Sequence, residues 1–172
     1  VQLVGVYDIV NKKSKELCLK YNLQAFKSLK ELLMACDAVS ICTPAVNHFN
    51  VSKKALYSNC HVFIEKPMTD NLRHAKKLKE LEKETNKKIQ VGHIERFNGA
   101  VQELFKIVKD PIYFECRRMS PFSSRMKDDG VVLDVMIHDI DIILSLIPSD
   151  VVNVNVVGSS VCRTAVDEGK PA

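Results

Sequence analysis

Short apolar runs, each closed by a polar turn and separated from the next by a helix-length segment, leave this 172-residue chain few folds to choose from. Gln2–Tyr7 is β-branched and stops at Asp8, Ala38–Cys42 stops at Thr43-Pro44, and His61–Ile64 stops at Glu65-Lys66-Pro67. Lys88–Gly92 is a further strand candidate. Between them Lys12–Tyr21, Leu29–Ala35, Asn47–Asn59 and Leu72–Asn86 show helical spacing, with Asp70 placed to cap the last. Strands alternating with helices predict βαβ units, a parallel sheet and right-handed crossovers. In an open α/β sheet the ligand crevice lies outside the carboxyl ends of the strands. Topology alone therefore gathers the polar turns at one edge of the sheet.

The pattern changes after about Gly99. Val101–Val108 reads as a helix and Ile112–Met119 as an alternating strand, followed by a polar loop over Ser120–Gly130. Leu133–Leu146 is a helix ended by Pro148, and Val151–Val157 a strand. These features predict a second, α+β unit over residues 99–172 after a first unit over 1–98. Val1 sits inside a strand pattern and Ala172 follows closely on another, so the chain reads as cut at both ends.

Composition narrows the function classes. The chain is 46% hydrophobic and 27% charged, too apolar for disorder and too interrupted by charge for a membrane span. The net charge of +4 is 25 basic minus 21 acidic residues. Much of the excess lies in Lys76–Lys88, where acidic residues are interleaved, as on a solvated helix face. No nucleic-acid motif accompanies it, so no nucleic-acid partner is expected; anionic small molecules fit the charge. Cys18, Cys36, Cys42, Cys60, Cys116 and Cys162 form no CxxC pair and no zinc-like spacing with histidine. Reduced thiols in apolar positions of a cytoplasmic protein, without metal, are the simplest account.

The helix Leu133–Leu146 is the most informative element. At about 100° per residue, Asp134, His138, Asp141 and Ser145 share one narrow stripe, and apolar residues cover most of the remainder. A helix apolar around most of its surface is expected to be buried, its polar stripe facing a cavity, a ligand or buried partners. Asp134 and His138 stand at i, i+4, where a carboxylate raises the basicity of an imidazole and orients it as a general base. A structural Asp–His pair is the equal alternative. Lys66, at a strand end, can polarise a hydroxyl or carbonyl oxygen; a plain exposed charge is the alternative. Asp8 can accept hydrogen bonds from an adenosine ribose or merely cap a helix. His48, after Cys42-Thr43-Pro44, either follows a turn along a cofactor or covers a helix.

Taken together, the runs "ICTPAVNH", "VFIEKP", "VGHIERFN" and "LDVMIHDID" resemble the Gfo/Idh/MocA oxidoreductases, in the family's order and over nearly the whole chain. The stretches "GHIERFN" and "FECRRMSPFSSR" resemble the subset of that family acting on UDP-sugars. The resemblance implies an incomplete Rossmann-type dinucleotide-binding domain over 1–98 and an incomplete substrate-binding domain with an open sheet over 99–172. It implies that Lys66, Asp134 and His138 are catalytic. His138 would take the hydroxyl proton while hydride passes to a nicotinamide, and Asp134 would orient His138. Asp8, Cys42, Thr43, Pro44, His48, Glu65 and Lys66 would lie along the cofactor, Asp8 favouring NAD over NADP. Arg118 and Arg125 would grip a pyrophosphate through forked, charge-assisted contacts, with Arg96, Asn98 and His138 lining the pocket; surface salt bridges are the alternative for each arginine. A homo-oligomer formed through the open sheet is also implied. The family's first strand and its G-x-G-x-x-G turn do not occur in this sequence, which predicts weak dinucleotide binding and open sheet edges for the piece alone. Two other readings remain: a dehydrogenase of a free sugar or cyclitol, and a non-catalytic nucleotide-sensing module.

Overall fold

A computed structural model describes residues 1–119 and 130–159 of the chain. Its elements run β1 (Gly5–Val6), α1 (Asn11–Tyr21), β2 (Gln24–Ala25), α2 (Leu29–Met34), β3 (Ala38–Ile41), α3 (Ala45–Tyr57), β4 (His61–Glu65), α4 (Leu72–Thr85) and β5 (Ile89–Gly92). A 3₁₀ turn at Ile94–Phe97 leads into α5 (Gly99–Ile107), and a wide π turn at Val132–Met136 into α6 (Ile137–Leu146).

Strand and helix alternate as the sequence predicts, and every strand pair is parallel. The strands form two sheets. β3, β4 and β5 pair in that order, with Val39 opposite Val62 and Ile64 opposite Val91. β1 pairs only with β2, a strand that lacks an apolar signature and was not expected. An open cleft of about 580 Å³ lies between the two sheets, lined by residues 1–7 on one side and by Ala38, Val39 and Ser40 on the other. Gln2–Tyr7 therefore contributes only Gly5–Val6 as paired strand.

The core forms where α3 and α4 cover the three-stranded sheet. Leu33, Ile41, Ala55, Leu56, Val62, Ile64, Leu78 and Leu81 are buried there together with Cys60. Val62 and Ile64 turn inward while Phe63 between them faces the other side and stays exposed, the period of two expected of a strand. Local chemistry sets the helix ends. Ser28 caps α2 by accepting from the Glu31 N–H, and the Glu31 carboxylate accepts in turn from the Lys27 N–H. Asn71, not Asp70, caps α4 by accepting from the His74 N–H; Asp70 instead takes the Asn71 side-chain N–H and pairs with His74. α1 and α4 end at Asn22 and Asn86 in the left-handed conformation that asparagine tolerates.

Several expectations fail here. Ile112–Met119 and Val151–Val157 are not strands, because no described residue offers either of them a ladder partner. The helix at Leu133–Leu146 is not buried all round. Ile142 is buried, but Met136 and Leu144 are exposed, since no described residue packs over that face. The cysteines are not uniformly core residues: Cys18 and Cys60 are buried, Cys42 and Cys116 exposed, and Cys162 lies outside the described residues. Among the described residues no helix is long and apolar enough to cross a membrane.

Candidate active site

Three strand ends converge on one edge. β3 runs into Cys42-Thr43-Pro44, β4 into Lys66-Pro67 and β5 into His93. Lys66 reaches from this edge to the helix that carries the polar stripe. Its Nζ donates to Asp134 Oδ1 at 2.5 Å and to the Asp134 main-chain carbonyl at 2.6 Å. The carbonyl belongs to the π turn, whose exit is marked by the Ile137 N–H reaching back five residues to the Val132 carbonyl. Such wide turns recur at functional sites because they re-aim groups that a regular α-helix would lock into its own ladder.

The pairing of Asp134 with His138 expected from their spacing does not form. Among the described residues the Asp134 carboxylate has Lys66 as its partner, and His138 Nδ1 is buried with none. The direction of the His138 shift is also the reverse of that expected. Burial, together with the Lys66 ammonium and the Arg118 guanidinium, pushes its pKa below the ordinary 6.5. His138 is therefore a neutral imidazole at neutral pH, with the capacity to accept a proton.

Two further carboxylates of this helix, Asp141 on the stripe and Asp139 off it, are held by arginines from other segments. Arg96 grips Asp141 with two bonds of 2.6 Å, and His93 Nε2 stands 3.8 Å from the same carboxylate. Arg118 grips Asp139 at 2.7–3.1 Å. These ion pairs raise the pKa of both guanidiniums further above their ordinary range. Asp141 takes the Ser145 hydroxyl on its main-chain oxygen. The alternative reading of Arg96 and Arg118 as salt-bridge residues is thus the one the structure displays. Asn98, expected in the pocket, caps α5 by accepting from the Ala100 N–H. Arg125 lies outside the described residues.

On the cofactor side, Asp8 Oδ1 accepts from the Val10 N–H at 2.7 Å, and among the described residues Oδ2 has no partner. α3 starts at Pro44 without a side-chain cap, and while the Asn47 N–H turns back to the Pro44 carbonyl, the Ala45 and Val46 amides have no side-chain partner. Thr43 turns its carbonyl to His48, Cys42 is exposed beside Ser40, and Glu65 is half-buried at the end of β4. His48 does not fit the cofactor-contacting role expected of it: it is 1% exposed and both ring nitrogens face main-chain carbonyls. His93 was missed as a site residue. It directly follows β5 at the same edge, its Nδ1 is buried without a partner among the described residues, and its Nε2 stands 3.8 Å from Asp141. The signal was its place in "VGHIERFN", one residue past a strand end.

Parallel strands alternating with helices, their polar ends gathered at one edge, form a Rossmann-type α/β fold. The Gfo/Idh/MocA profile, described as an oxidoreductase family with an NAD-binding Rossmann fold, matches residues 1–93. The chain belongs to this family. It is 36% identical to UDP-N-acetylglucosamine 3-dehydrogenase of Acidithiobacillus ferrooxidans over 167 residues, 96% of this chain and 53% of that protein. It is 30% identical to scyllo-inositol 2-dehydrogenase (NAD(+)) of Bacillus subtilis, over 69% of this chain and 37% of that one. The solved structure of the Acidithiobacillus ferrooxidans enzyme superposes with a TM-score of 0.83 at 36% identity, covering 92% of this chain and 54% of the other. The chain spans about half the length of curated relatives it matches.

Proposed function

We propose that this chain carries the hydride-transfer site of an NAD-dependent sugar dehydrogenase acting on a nucleotide sugar of the UDP-N-acetylglucosamine type, with residues 1–98 serving the cofactor and 99–172 the sugar. The single observation that carries the reading is the Lys66–Asp134 pair close to the half-buried His138, whose Nδ1 has no partner among the described residues. Asp8 Oδ2 and the Ala45 and Val46 amides at the start of α3 are groups that would hold a dinucleotide, Asp8 by accepting ribose hydroxyls, which favours NAD over NADP. When bound, the nicotinamide supplies the hydride acceptor.

The chain's own residues supply the rest. Lys66 directs its ammonium at the sugar oxygen and stabilises charge developing there. His138 takes the hydroxyl proton as the C–H bond breaks and the carbonyl forms, and its lowered pKa keeps it ready to accept. Asp134 holds Lys66 rather than His138, so it aims the polarising group and leaves the base unassisted. Free thiols support a reducing cytoplasmic setting, and the exposed apolar face of α6 supports assembly into a homo-oligomer.

A second substrate class has its own support. Arg96 and Arg118 are already neutralised by Asp141 and Asp139, so neither stands ready for a pyrophosphate. That arrangement favours a free sugar or cyclitol.

The test follows NADH formation by protein carrying this sequence, with UDP-N-acetylglucosamine, N-acetylglucosamine and scyllo-inositol as substrates and a keto acid present to recycle bound cofactor. Turnover lost in both Lys66→Met and His138→Gln with NAD binding intact is the expected result. Turnover on scyllo-inositol alone selects the cyclitol reading. NAD binding without oxidation of any of the three overturns the catalytic reading in favour of a nucleotide-sensing module.

A further inference from the structure

His48 lies early in α3, inside the protein, 1% exposed. Its Nδ1 is 2.8 Å from the Pro67 carbonyl oxygen and its Nε2 is 2.7 Å from the Thr43 carbonyl oxygen. A carbonyl oxygen only accepts, whereas a neutral imidazole carries one N–H and one lone pair. Neither tautomer satisfies both contacts, because one lone pair would face another at hydrogen-bond distance. The imidazolium, with two N–H groups, satisfies both.

Both acceptors lie just past the end of the β3–β4 ladder. Ile41 and Ile64 are the last residues paired between β3 and β4; Thr43 stands two residues beyond the first, and Pro67 three beyond the second. Beyond the ladder the chains would otherwise part. Pro44 and Pro67 have no N–H with which to continue strand pairing, so the donors that tie the two turns come from the ring between them. Fixing the Pro67 carbonyl fixes the main chain from which the Lys66 side chain departs toward Asp134.

We propose that His48 is a positioning residue: a buried ring, in hydrogen-bond contact with a carbonyl on each side, that clamps the turn after β3 to the turn after β4 and so holds Lys66 within reach of Asp134. Its consequence for turnover rests on the reading of Lys66 as the residue that polarises the substrate oxygen; the clamp itself does not.

The experiment labels the histidines with ¹⁵N and reads the ring nitrogens at pH 7, with the His48 signals identified by their loss in His48→Gln or by through-bond spectra of the unaltered protein. The expected result is a one-bond ¹⁵N–¹H coupling at both His48 nitrogens. A single protonated nitrogen overturns the clamp. His48→Phe, which fills the site without donors, is then expected to lower kcat by about 100-fold with NAD affinity unchanged. Full turnover in that variant, or equal losses in kcat and NAD affinity, overturns the positioning role. If His48→Phe does not fold, the ring couplings of the unaltered protein still decide the clamp. If the unaltered protein turns over no sugar, the functional reading fails, while the ring couplings judge the clamp on their own.

Discussion

Lys66 places two hydrogen bonds on one residue, donating through Nζ to both the carboxylate and the main-chain carbonyl of Asp134 across 68 positions of sequence. The two side chains are 20% and 29% exposed, enough burial for the contact to matter to stability as well as to chemistry. Lys66→Met leaves two acceptors without their donor and is expected to lower the unfolding free energy by about 1–3 kcal/mol. Asp134→Asn keeps the carbonyl and a side-chain acceptor, so its loss should be the smaller. Urea denaturation of the two variants checks the order.

The lowered pKa of His138 sets a direction for pH dependence. In the folded chain the imidazole binds its proton less readily than at its ordinary 6.5. The unfolded state therefore holds more protons just below that pH, and stability rises with pH through the window. The contribution is present above 6.5 and is lost as pH falls toward the folded value. Stability measured from about pH 7.5 down to about pH 5.5 should decline less steeply in His138→Gln than in the unaltered protein. Equal slopes would mean the ring titrates alike in both states.

Arg96 and Asp141 differ in exposure, at 47% and 11%. Arg96→Ala leaves a mostly buried carboxylate with its forked partner gone, for an expected cost of about 1–3 kcal/mol. Adding Asp141→Ala removes that stranded charge and should recover part of the loss. A double-mutant cycle measures the coupling, and additive losses would show that the pair contributes little.

Ser52 is fully buried in α3 and its hydroxyl has no partner among the described residues. Ser52→Ala removes an unpaired polar group and adds a better helix former, so it should stabilise the chain by about 1 kcal/mol. Thermal unfolding gives the sign directly. A lower midpoint would reveal a partner for the hydroxyl.

Gly5 sits in β1 opposite Gln24 of β2. A Cβ there would lie 2.2 Å from the Gln24 carbonyl oxygen and 2.7 Å from the Phe26 ring. Gly5→Ala must push the two strands apart and should cost about 1–3 kcal/mol. Amide exchange should quicken at Phe26, whose N–H donates to the Val6 carbonyl.

The first unit was legible because its signals are local. The β-branched runs at Ala38–Cys42 and His61–Ile64, the helical spacing of Leu72–Asn86 and the polar residues that end each strand all follow from short-range periodicity, and they bring Lys66 to the crevice. β2 escaped because its two exposed residues, Gln24 and Ala25, carry no apolar pattern. The expected strands at Ile112–Met119 and Val151–Val157 have the pattern without a partner among the described residues, and a strand is stable only when its hydrogen bonds are met by another.

The sequence by itself determined the alternation of elements, the edge at which polar residues collect and the identity of the lysine and histidine brought there. Only the tertiary structure decided who pairs with whom. Asp134 and His138 are neighbours by helical arithmetic, yet the π turn and the approach of β4 give the carboxylate to Lys66. Arg96 and Arg118 look free along the chain, but folding brings Asp141 and Asp139 to them. His48 looks like a ligand residue until burial surrounds it with carbonyls. Periodicity sets which face a side chain occupies, whereas charge pairing depends on distances between segments far apart in sequence, and those distances exist only once the chain has packed.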